Sequence, residues 1–257
     1  MKRKPESHKY DYGHILVVAG SKFMPGAGVL CCNAAMRAGA GLVTYAVKEK
    51  FLASACSMSK PETMFFVYKN ANDIIKFVKD RKVNAVVLGP GMVAGGALYR
   101  FAKKIINCVS VPVILDASAL TSFSGKSAAL KTAKAKLILT PHAGEFSKIG
   151  GKDVAKFAKE HKLICLLKGH RTKVSDGKNA YINRTGTPAM ATAGSGDVLS
   201  GIIAAFGAVN GNLYKSVCLA ARIHGLAGEF AEKEKGETSV IASDIVEKIY
   251  KAIGGKK

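Results

Sequence analysis

A chain of 257 residues with 48% apolar side chains is long enough to bury a large core and too apolar for a disordered polymer. Its formal charge of +21, from 39 Lys and Arg against 18 Asp and Glu, draws it toward anionic ligands and surfaces. No apolar run is long enough to span a bilayer, and the Lys-rich start runs into Pro5-Glu6-Ser7-His8 without the apolar stretch of a signal peptide. In chain order, short β-branched runs predict strands at 14–19, 42–47, 85–88, 113–115, 137–139 and 163–167. Longer Ala-rich stretches between and after them predict helices at 27–38, 72–81, 96–107, 151–161, 197–208, 214–235 and 243–253. Segments 172–175 and 179–183, divided by Asp176-Gly177, predict a β-hairpin.

Strand–turn–helix repetition with strands apolar on both sides predicts an α/β fold: one mostly parallel sheet with helices on both faces. No linker, repeat or low-complexity segment divides the chain, so 1–257 reads as one domain, with 1–8 and 254–257 expected to be flexible basic tails. The stretch 126–178 holds thirteen Lys and Arg against four Asp and Glu, yet the cations are dispersed among apolar residues. No aromatic-interleaved basic motif of the RNA-recognition type accompanies them, so nucleic-acid binding is at most incidental. The six cysteines form no Cys-x-x-Cys pair and no zinc spacing. The apolar neighbours of most of them predict reduced core thiols and a cytoplasmic protein.

Polar and Gly-rich punctuation follows successive strands: Gly20-Ser21, Gly89-Pro90-Gly91, Asp116, Thr140-Pro141-His142 and Lys168-Gly169. Ligands of doubly wound sheets bind beyond the carboxyl ends of strands, so these turns predict one cleft. The strongest single motif is Ala193-Gly194-Ser195-Gly196-Asp197, followed by apolar residues at 198, 199, 202, 203 and 206 that predict a helix with one buried stripe. Free N–H groups at such a helix start bind anions, and glycines let a phosphate approach the backbone. Asp197 in the first turn reads either as a general base for a hydroxyl attacking a phosphoryl group or as an acid that complements the helix dipole.

Gly194-Ser195-Gly196-Asp197 with its apolar helix resembles the Gly-x-Gly-Asp element of the ribokinase-like fold. Within that fold the chain resembles the ADP/ATP-dependent NAD(P)H-hydrate dehydratases over roughly 9–250. The resemblance runs in order through 14–21 with Gly26-Ala27, Ala35–Thr44, Lys60-Pro61-Glu62-Thr63-Met64, Leu88–Gly91, Ile114–Ala117, Leu139–Phe146, Lys168–Thr172, Met190–Asp197 and His224–Gly228. It implies a three-layer α/β/α sandwich. It also implies repair of hydrated NADH or NADPH: ADP or ATP phosphorylates the ring hydroxyl, and phosphate then leaves where hydroxide would not. By resemblance, Asp197 is the base and Gly194 and Gly196 stabilise the transferred phosphoryl group. Lys168, Gly169, His170, Arg171, Thr172, Ser195 and Gly196 bind the nucleotide. Ala40, Gly91, His142 and Asp197 line the hydrate site, and Asp116 and Glu145 are the candidates to serve Mg²⁺. A homotetramer and a separate epimerase are implied partners, and His224 reads as a packing residue.

Two positions depart from the family pattern: Ser118 stands where a second aspartate is usual after Asp116-Ala117, and Val93 where a glycine is usual. Ser195 replaces the usual threonine but keeps the backbone donors. A small-molecule kinase of the same fold, acting on a thiazole, pyridoxal-like or sugar alcohol, shares the Gly-Ser-Gly-Asp element. A basic nucleic-acid-binding protein would account for the charge but not for that element.

Overall fold

The computed structural model describes residues 3–209 and 211–254. In chain order its elements are β1 (His14–Val18), α1 (Gly26–Arg37), β2 (Leu42–Val47), α2 (Leu52–Met58), β3 (Met64–Val67), α3 (Ala71–Asp80), β4 (Ala85–Leu88), α4 (Gly96–Cys108), β5 (Pro112–Leu115), α5 (Ala117–Thr121), β6 (Lys136–Leu139), α6 (Ala143–Lys148), α7 (Val154–His161), β7 (Ile164–Leu167), β8 (Lys173–Ser175), β9 (Ala180–Ile182), α8 (Ser195–Val209), α9 (Leu213–Lys235) and α10 (Ala242–Gly254). The strands form one nine-stranded sheet in the order β3-β2-β1-β4-β5-β6-β7-β8-β9. Pairing is parallel from β3 through β7 and antiparallel at β7–β8 and β8–β9.

The two faces of β1 show why its five residues are all apolar or buried. Ile15 and Val17 enter one core with α1, α8, α9 and α10. Leu16 and Val18 enter a second core with α3, α4 and α7. A strand covered on both faces has no polar alternation, as its sequence foretold. The expected three-layer α/β/α arrangement follows.

α8 departs from the expected single buried stripe. It is buried nearly all round, because α1, α9 and the sheet enclose it. Its Gly201 is the point of closest approach: a Cβ there would stand 2.2 Å from the carbonyl oxygen of Cys31 in α1. That contact fixes where α8 begins relative to the strand ends.

Four elements were not foreseen. β3 is a four-residue edge strand behind the short α2, and α5 and α6 have five and six residues. None is long enough to set up a periodic pattern. The helix expected from 151 begins at Val154, because Asp153 caps it by accepting from Lys156 N–H at 2.8 Å. Residues 3–8, expected as a loose tail, fold back on Tyr12: Arg3 stacks on its ring at 4.3 Å and Ser7 Oγ pairs with its hydroxyl at 2.6 Å. Residues 1, 2 and 255–257 of the expected tails lie outside the described residues. Among the described residues no helix is long and apolar enough to cross a membrane.

Candidate active site

β1 is flanked by β2 and β4, so connections leave it in opposite directions and open a crevice at the carboxyl ends of the strands. The turns after β1 and β4 line that crevice. Gly20 N–H donates to Pro90 O at 2.8 Å, tying the two turns together. Gly91 has φ +64°, and a Cβ on it would lie 2.5 Å from Met24 O and 2.8 Å from Ala27 Cβ. Glycine is required there by both conformation and space.

Asp116 follows β5 and is 1% exposed. Its Oδ1 accepts from Ala117 N–H at 2.9 Å and from Lys168 Nζ at 2.8 Å. Its Oδ2 accepts from Ser200 Oγ at 2.7 Å. Lys168 follows β7, is placed by its N–H bond to Pro141 O at 2.8 Å, and has Glu145 Oε2 as a second anion at 3.9 Å. Burial depresses the ammonium's pKa, but Asp116, Glu145 and Asp197 outweigh it and leave Lys168 above its ordinary value.

α8 brings Asp197 to this cation. Burial pushes the Asp197 carboxyl up to about 7; the charge of Asp116 adds to the rise, and Lys168 opposes it. Ser195 N–H turns back to Thr192 O at 3.3 Å, so the N–H groups of Gly196 and Asp197 are the ones this helix end holds out. Gly196 faces the charged cluster: a Cβ there would stand 3.3 Å from Lys168 Nζ and 3.9 Å from Asp116 Oδ2. Gly194 has φ +88°, and a Cβ on it would strike Leu30 Cδ1 at 2.4 Å.

The turn from Lys168 to Thr172 joins β7 to β8. Thr172 Oγ1 donates to Gly169 O at 3.1 Å, and Arg171 takes φ +54°, leaving His170 and Arg171 exposed at the tip. His142 and Glu145 form a reciprocal capping box on α6. Glu145 Oε2 accepts from His142 N–H at 2.9 Å, and His142 Nδ1 accepts from Gly144 and Glu145 N–H at 3.1 and 3.3 Å. The ring stays on the rim of the crevice, beside the bridge between His142 and Lys168.

Three sequence expectations are revised by this geometry. Ala40 does not join the cluster. It precedes β2, whose Leu42 pairs with the first residue of β1, so it sits at the amino ends of the strands. Ala27, in the first turn of α1 and against Gly91, stands where the crevice is; its position just after the β1 turn was the available signal. Asp116 and Glu145 do not fit a protein-held magnesium ion, because both already share the Lys168 ammonium. Among the described residues no three His, Cys, Asp or Glu side chains stand together as a metal site. His224 does more than pack: its Nε2 lies 3.3 Å from Ser195 Oγ, and burial lowers its pKa to about 4, so the ring is neutral. Ser200 was missed because an isolated serine inside an apolar helix carries no pattern.

A half-buried carboxyl poised near neutrality, a helix end and a fixed ammonium together can deprotonate a hydroxyl and receive phosphoryl charge. A Moorella thermoacetica protein named a bifunctional NAD(P)H-hydrate repair enzyme is 36% identical over 268 aligned residues, covering 96% of this chain and 50% of its own. The chain thus spans about half the length of the first curated relatives it matches. A Listeria monocytogenes protein named ADP-dependent (S)-NAD(P)H-hydrate dehydratase is 33% identical, covering 96% of this chain and 90% of its own. The crystal structure of the Bacillus subtilis ADP/ATP-dependent NAD(P)H-hydrate dehydratase, co-crystallised with ATP/Mg²⁺, superposes with a TM-score of 0.85 at 26% identity over 99% of this chain and 93% of that one. The fold is therefore ribokinase-like. The family model described as NAD(P)H-hydrate dehydratase matches residues 15–251, and the chain belongs to that family.

Proposed function

We propose that the chain converts the S epimer of NADH or NADPH hydrate to the intact reduced cofactor, with ADP as phosphoryl donor. Hydrate and ADP give NAD(P)H, AMP and phosphate. The observation that carries this reading is Asp197, held at about 7 in the first turn of α8 and opposed by Lys168. Asp197 takes the proton of the ring hydroxyl as its oxygen attacks the β-phosphorus of ADP. The N–H groups of Gly196 and Asp197 and the Lys168 ammonium receive the charge on the transferred group. Phosphate, a far better leaving group than hydroxide, then leaves the ring while the neighbouring ring carbon gives up a proton and the ring double bond forms. Gly169–Thr172 edge the nucleotide, and Ala27, Gly91 and His142 line the hydrate side. Any Mg²⁺ would be held by the nucleotide's own phosphates and would supply counter-charge there; the cation this chain itself places at the site is Lys168. A separate epimerase that supplies the S epimer, and a homotetramer, follow from the family resemblance and belong to the same proposal.

The test is absorbance near 340 nm after mixing the chain with NADH hydrate, Mg²⁺ and ADP or ATP. A nucleotide-dependent rise is expected, faster with ADP. Asp197→Ala lowers that rate by roughly a hundredfold or more while leaving nucleotide affinity nearly unchanged. A flat trace from folded, nucleotide-binding protein overturns the reading in favour of a kinase acting on another alcohol.

A further inference from the structure

We propose that Ser200 is a positioning residue for the nucleotide, acting through Asp116 to fix where Lys168 presents its ammonium. The inference rests on the reading of Lys168 as facing the nucleotide. Ser200 is fully buried on α8, three residues beyond Asp197 and so on the same side of the helix. Its hydroxyl donates to Asp116 Oδ2 at 2.7 Å.

Asp116 is held from three directions. Ala117 N–H and Lys168 Nζ both bind Oδ1, and among the described residues Ser200 alone donates to Oδ2. Ala117 itself sits at φ +47°, a strained conformation for a residue with a Cβ, so the local backbone is set against relaxation. At 1% exposure the carboxylate has no water to replace a lost donor. Without the Ser200 hydroxyl, Oδ2 has one cation within reach, Lys168. The carboxylate then turns to engage the ammonium with both oxygens and draws it away from Gly196 and the crevice. Ser200 thus couples the helix that carries the base to the cation on the opposite side of the site.

Calorimetric titration of the full chain with ADP and Mg²⁺ tests this without requiring hydrate turnover. Ser200→Ala is expected to weaken ADP binding about five- to tenfold, less than the full effect of one lost hydrogen bond to a charged group because it reaches the nucleotide only through Asp116 and Lys168. The same substitution placed in Asp116→Asn is expected to cost less than twofold, because the group it acts through has lost its charge. Ser200→Thr, which keeps the hydroxyl, binds ADP like the parent, whereas Ser200→Val loses affinity as Ala does. This second pair decides the matter if the Ala variant does not fold. Parent-like binding by Ser200→Ala overturns the inference, as does an equal loss in the two Asp116 backgrounds or equal binding by the Thr and Val variants. Failure of the parent itself to bind ADP instead overturns the proposed function.

Discussion

Asp197 has its proton affinity set by what surrounds it rather than by its own chemistry. An unfolded aspartate ionises near its ordinary value of ~4, whereas Asp197 in the folded chain ionises at about 7. Folding therefore takes up a proton between those values, and the stability this group contributes declines as pH rises from ~4 to ~7. Two outcomes follow. The rate constant kcat/KM falls about tenfold per unit below pH ~7 as the base becomes protonated, measurable as the acid limb of a pH–rate profile. Asp197→Asn removes the cost of burying the charge, so it melts higher than the parent at pH ~8, by ~2 kcal/mol of stability once the ~4 kcal/mol of a three-unit rise is halved for a group that is only half-buried, and the difference closes toward pH ~4. Scanning calorimetry across that range checks the sign.

The N-terminal end of α8 places this carboxyl, and two glycines set that end for different reasons. Gly201 lets α8 lie against the α1 backbone, and Gly194 turns the chain into the helix at a positive φ with Leu30 filling the space a Cβ would need. Gly194→Ala should lower stability by about 1–3 kcal/mol and reduce kcat at least tenfold, because the displaced turn also carries the N–H donors. Gly39, at φ +100° on the far side of the sheet with open space around it, is the control. Gly39→Ala carries backbone strain alone, so it should lower the melting temperature without changing turnover. Comparing melting curves with steady-state rates for the two variants separates strain from chemistry.

Across the whole molecule the charge is unevenly shared between the two helix layers. α9 and α10 together carry six Lys and Arg against five Asp and Glu, which nearly cancel. The stretch 126–178, with thirteen against four, folds onto the opposite side around α6, α7 and the antiparallel edge and passes through the Lys168 turn. A surplus of this kind raises the local concentration of anionic ligands, and salt screens it. Raising salt from about 0.05 to 0.5 M should therefore lower kcat/KM for the hydrate about three- to tenfold while changing kcat little. Stopped-flow or initial-rate measurements across that range are the check.

By itself the sequence determined the layered sheet, since strands such as Ile15–Val18 are apolar on both faces only when helices cover both. It also determined that a helix starts at Gly194-Ser195-Gly196-Asp197, since glycines and an acid before an apolar stripe are local chemistry written in adjacent residues. Short elements such as β3, α5 and α6 were not legible, because they exist through edge pairing and caps rather than through periodicity. Only the tertiary structure decided that Asp116 and Glu145 share the Lys168 ammonium, that Ser200 completes the cluster, and that Ala27 rather than Ala40 lies at the crevice. Those relations join residues far apart in the chain. Which end of the sheet a residue occupies, and which partner a buried charge finds, depends on strand order and register, which local spacing does not encode.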